Sequence, residues 1–98
     1  GIKEGIELCR AHPRQKVIVT CGLVESREEL NIELAKLIDD VFDVAIITGE
    51  LNKELFGANL QKCEKLFLTD KNELEALLKE KTEPDSIVYF ANDAPGYI

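Results

Sequence analysis

Tryptophan and methionine are absent, histidine occurs once and cysteine three times in these 98 residues. Each scarcity excludes something. Cys9, Cys21 and Cys63 are odd in number and form no C-x-x-C pair, so no disulfide framework and no zinc spacing is expected. Reduced thiols and a cytoplasmic location follow from that usage. His12 alone cannot build a metal site. Basic residues are also scarce: 12 Lys and Arg face 19 Asp and Glu, a net charge of −7. Nucleic-acid and anionic-membrane surfaces need a basic footprint, so neither partner is expected. No apolar run approaches the ~20 residues of a bilayer span, and no charged n-region with an apolar h-region marks a secretory signal. The first residue is Gly1 and helical spacing begins at once, which predicts a piece of a longer chain.

What is present alternates between two periods. Ile2, Ile6 and Cys9 mark one face of a helix that Pro13 stops. Val17–Cys21 is a β-branched run bounded by Gly22, a buried strand. Ser26 and Glu29 form a capping box, and Leu30, Leu34, Leu37, Ile38 and Val41 hold the apolar face behind it. Val44–Thr48 is a second strand closed by Gly49. A short helix is predicted at Asn52–Phe56 with Gly57 as its stop. Leu66–Leu68 reads as a third strand. Asp70 with Glu73 opens a helix whose stripe is Leu74, Leu77 and Leu78, and Ile87–Phe90 is a fourth strand. The residues from Ala91 onward read as a loop.

Continuous apolar strands between amphipathic helices predict an α/β fold, a Rossmann-like three-layer α/β/α sandwich with a parallel sheet in the order 3-2-1-4, and one domain over residues 1–98. Ligands of such sheets bind beyond the carboxyl ends of the strands, where the order reverses. The residues expected there are Thr20, Gly22 and Glu25 after the first strand, Thr48 and Asn52 after the second, and Asn92 and Asp93 after the fourth. The loops of strands one and four are expected to diverge around a crevice.

The chemistry of these loops is limited. G-x-G-x-x-G and G-x-x-x-x-G-K-[ST] are both missing, so neither a dinucleotide nor an ATP phosphate cradle is expected. Asp43 and Asp85 precede their strands, at the wrong end for a phospho-receiver. Cys21 and Arg27, with five residues between them, have the spacing of a cysteine phosphatase loop or a phosphocysteine carrier. Against that stand bulky Leu23 and Val24 and the charge of Glu25; the other reading of Cys21 is a small buried thiol that packs. Asn92-Asp93 reads equally as a turn pair or as ligand contacts. Glu25 is either a solvated charge or an acceptor for a substrate ammonium. Cys9 and Cys63 are expected to pack, and His12 to end a helix at the surface. No catalytic residue and no metal ligand is predicted.

Four segments carry a family resemblance. Val17–Glu25 resembles the Val-Thr-Pro-Gly-Met/Leu-x-Glu segment opening the C-terminal domain of some MurF-type Mur ligases. Ile2–Cys9 looks like the helix before it, and Asp43–Gly49 like the second strand. Phe90–Pro95 resembles the Glu-Asn-Asp-x-Pro ending of the same subgroup. The resemblance implies the closing domain of an ATP-dependent amide ligase of peptidoglycan precursor synthesis. Its partners would be UDP-N-acetylmuramoyl-peptide, D-alanyl-D-alanine, and the N-terminal and central domains of the same chain. ATP and magnesium would belong to the full-length enzyme, whose central domain carries the phosphate loop, the magnesium ligands and a carbamylated lysine; this domain alone would bind neither and be inactive. The sequence departs from the family at Cys21, where many relatives have Pro. Asn92-Asp93 replaces a Gly-Ser-Arg, and Thr48–Asn52 stands where diaminopimelate-adding relatives have Asp-Asn-Pro-Arg.

Overall fold

A computed structural model describes residues 1–24 and 27–92. The elements are α1 (Ile2–Arg10), β1 (Lys16–Gly22), α2 (Glu28–Val41), β2 (Val44–Thr48), α3 (Lys53–Asn59), β3 (Glu64–Leu68), α4 (Leu74–Lys81) and β4 (Ile87–Asn92). All strands are parallel, in the order β3-β2-β1-β4. The predicted α/β/α sandwich is the observed one.

Strand alternation sorts the core into two layers. Ile18, Ala45, Ile47 and Ala91 face α1, α2 and α3, meeting Ile6, Leu34, Ile38 and Phe56. Val17, Val19, Val44, Ile46 and Leu68 face the other way, onto Leu74, Leu77 and Leu78 of α4. One face therefore has three helices and the other a single eight-residue helix. Both faces of β1 and β2 are buried, which is why they read as unbroken apolar runs.

Some boundaries differ from expectation. Gly57 does not stop α3, which runs on to Asn59. The reason lies in β3: Lys65 Nζ donates to the carbonyls of Gly57 (2.7 Å) and Leu60 (2.9 Å), satisfying the helix end with a side chain rather than a glycine turn. The buried face of α2 is Asn31, Leu34, Ala35, Ile38 and Val41, with Leu30 and Leu37 at its margins. Ser26 of the expected capping box lies outside the described residues; Arg27 is the N-cap position. Asp70 does cap, accepting from the Asn72 N–H at 3.0 Å, but it opens a 3-10 turn at Lys71–Glu73 that leads into α4.

The amino ends of the strands are tied together by side chains. Asp43 Oδ2 accepts from the Lys16 N–H at 2.8 Å. His12 Nε2 lies 2.7 Å from the Asp85 carbonyl, an acceptor only, so Nε2 is the donor there. Asp39 Oδ1 accepts from the N–H groups of Gln61 (2.9 Å), Lys62 (2.7 Å) and Cys63 (3.0 Å) at the entry to β3.

Candidate functional site

The carboxyl ends of β1 and β2 and the start of α3 form one hydrogen-bonded cluster. Gly22 sits at its centre with φ +84, and its N–H donates to Thr20 Oγ1 at 3.0 Å. Asn52 Nδ2 reaches across from the β2–α3 loop to the Cys21 carbonyl at 2.8 Å. A Cβ on Gly22 would fall 2.6 Å from Asn52 Nδ2, 2.7 Å from Phe56 Cε2 and 2.9 Å from Asn31 Oδ1. The turn needs glycine for its left-handed backbone and for this close approach.

Asn31 was not singled out from the sequence, yet it fixes the same loop. Its Oδ1 accepts from the Leu23 N–H at 2.8 Å and its Nδ2 donates to the Leu23 carbonyl at 3.1 Å. It is 2% exposed on the buried face of α2. A buried amide needs partners, and an Asn three residues before Leu34 on an apolar face was the available signal.

The sequence-predicted residues do not all come together. Thr20, Gly22 and Asn52 are brought together. Thr20 is fully buried with its hydroxyl committed to the Gly22 N–H, so it shapes the turn. Thr48 is 3% exposed at the end of β2, and its Oγ1 has no hydrogen-bond partner among the described residues. Glu25 and Asp93 lie outside the described residues. Asn92, expected in a loop, is the last residue of β4 and pairs with Gly22 past a register shift at Cys21. The strand ends expected to diverge thus remain joined to the last residue of each; the bulge lets β1 turn while pairing continues.

Beside this cluster an open cleft of about 1020 Å³ runs between the start of α2 and the outer side of α3. Glu28, Glu50 and Glu54 line it with Asn52, Leu51 and Phe67. Lys53 lies 3.9 Å from Glu50 and 5.9 Å from the centre of the Phe67 ring, the only cation lining the cleft among the described residues. The cleft is acidic, with an apolar margin where Leu51 and Phe67 are exposed.

The thiols are placed for packing. Cys21 is 1% exposed, and a nucleophilic thiolate needs access. Burial pushes the Cys9 thiol up. Burial, with the Asp39 charge beside it, pushes Cys63 up to about 12. Among the described residues no group of three or more His, Cys, Asp or Glu could hold a metal ion, and no helix is long and apolar enough to cross a membrane. Comparisons with family models, curated proteins and solved structures gave no match.

Proposed function

We propose that this chain is the substrate-positioning, closing domain of an ATP-dependent amide ligase of peptidoglycan precursor synthesis, working in the cytoplasm beside the N-terminal and central domains of a longer MurF-type chain. One observation carries the reading. Three of the segments that bear the resemblance end at one rim of the sheet: Thr20–Val24 and Ala91-Asn92 meet there through the Gly22–Asn92 pairing, and the second strand ends beside them, where Asn52 of the loop beyond it donates to the Cys21 carbonyl. That rim is the carboxyl end, where open parallel sheets take their ligands.

The rim suits an amine. D-Alanyl-D-alanine presents an ammonium that needs acceptors before it loses a proton and attacks. Glu28, Glu50 and Glu54 surround the adjoining cleft with negative charge, and Glu25 and Asp93 add carboxylates in sequence. The Gly22 turn, stapled by Asn31 and Asn52, supplies the rigidity that positioning requires. The phosphoryl chemistry of ATP and magnesium, and the nucleotide-peptide carboxylate it activates, would belong to the central domain that the resemblance implies. A thiol enzyme built on Cys21 is disfavoured by the burial of its sulfur.

Steady-state kinetics of the full-length ligase test the proposal. Asn92→Ala and Asp93→Ala are expected to raise the KM for the dipeptide about tenfold, about 1.4 kcal/mol of binding, with the KM for ATP little changed. Unchanged dipeptide KM and kcat in both variants would remove the site. A phosphoryl adduct on Cys21, found by mass after incubation with a phosphodonor, would replace the ligase reading with the thiol one.

A further inference from the structure

The two edges of the sheet are built differently. On β3 the Glu64 N–H donates to the Asp43 carbonyl at 2.9 Å, and the Leu68 carbonyl accepts from Gly49 at 3.2 Å. Glu64, Leu66 and Leu68 therefore face β2, and Lys65 and Phe67 turn their backbone groups outward. That edge carries two charged residues, Glu64 held by Lys81 at 2.9 Å and Lys65 folded onto α3. Charge of this kind keeps an edge from pairing with another chain.

The β4 edge has no such guard. The Ile87 N–H donates to the Gln15 carbonyl at 2.9 Å. Ile87, Tyr89 and Ala91 therefore face β1, and Val88 and Phe90 turn N–H and C=O outward. Among the described residues nothing bonds to these outward groups. No residue from Ile87 to Asn92 is charged, none is proline, and the bulge of the β1–β4 pair lies on β1. Phe90 leaves 52% of its surface exposed on this edge.

We propose that the β4 edge pairs with β4 of a second copy of this chain, antiparallel about a two-fold axis at Tyr89, joining two four-stranded sheets into one of eight. The strand is self-complementary about that point. Val88 faces Phe90 of the copy and Phe90 faces its Val88, so the outward groups of both residues are all satisfied. Each exposed Phe90 ring then lies against a β-branched side chain, one of the favourable cross-strand pairs. No like charges meet within the pairing. The opposing force is the net charge of −7 on each copy, which is long-range and screened by salt. The inference does not depend on the ligase reading.

A six-residue strand pair is a small contact beside the ~1,600 Å² of a standard interface, so a weak, concentration-dependent dimer is expected. Sedimentation of the 98-residue chain should show a monomer–dimer equilibrium that tightens from about 50 mM to about 500 mM salt. Amide exchange should show Val88 and Phe90 gaining protection with protein concentration. Phe90→Lys should weaken association at least about tenfold. Phe90→Pro removes only an outward N–H, leaves the β1 bonds intact and should act alike; circular dichroism confirms that either variant folds. A monomer at millimolar concentration would overturn the proposal. So would dimerisation unchanged in both variants, or outward amides protected independently of concentration, which would mean that the chain covers its own edge.

Discussion

Gly22 concentrates the demands of the site in one residue. Its φ of +84 favours glycine, and any Cβ there would strike Asn52, Phe56 and Asn31 at under 3 Å. Gly22→Ala therefore carries a left-handed strain of about 1 kcal/mol and an overpacking cost of about 1–3 kcal/mol. Urea denaturation should show a loss of about 2–4 kcal/mol; a loss below 0.5 kcal/mol would mean that the loop is not held as described. Asp39 makes a prediction in pH. Burial pushes its carboxyl up, but the N–H groups of Cys63, Lys62 and Gln61 together outweigh that and hold it below its ordinary 3.8. A lowered folded-state value adds stability that is present above pH 3.8 and lost as the pH falls through the folded-state value. Urea midpoints of the wild type and Asp39→Asn should therefore differ at pH 7, and the gap should begin to close as the pH falls below about 3.8 and vanish below the lower folded-state value. A gap that is constant with pH would show that the charge contributes nothing.

At the scale of elements, α3 separates what sequence reveals from what it hides. Gly57 looks like a helix stop because glycine commonly is one. The residue that actually satisfies the helix end is Lys65, eight positions later and on another element, a contact no local pattern can report. Gly57 is instead an interior helix residue whose added Cβ would lie 3.5 Å from Phe67 Cζ, an ordinary contact. Gly57→Ala is thus expected to raise stability by about 0.5–1 kcal/mol; thermal melts showing a loss would mean that Phe67 leaves no room. β1 and β2 were legible because burial on both faces writes itself as a continuous β-branched run, and the order followed from the handedness of crossovers; β3, largely exposed, begins at Glu64, two residues before its apolar run. The site was legible in part. Gly22 and Asn52 could be placed at the rim, but Asn31 was masked by its helix, and the pairing that takes Asn92 into β4 depends on the bulge at Cys21.

For the molecule as a whole, the position of β1 sets an order in time. One neighbour, β2, follows closely in the chain; the other, β4, begins only at Ile87. Closing the longer loop costs more entropy, and β4 has nothing else to pair with until β1 accepts it. The first three strands can assemble while one flank of the future centre is still open. β1 records both events, since Ile18 and Thr20 turn their N–H groups toward β2, and Val17 and Val19 toward β4. In pulse-labelled refolding, Ile18 and Thr20 should gain protection before Val17 and Val19; simultaneous protection would mean that all four strands arrive together. A strand flanked by its earliest and its latest partner is thus a clock for its own assembly, with early and late amides alternating along one backbone.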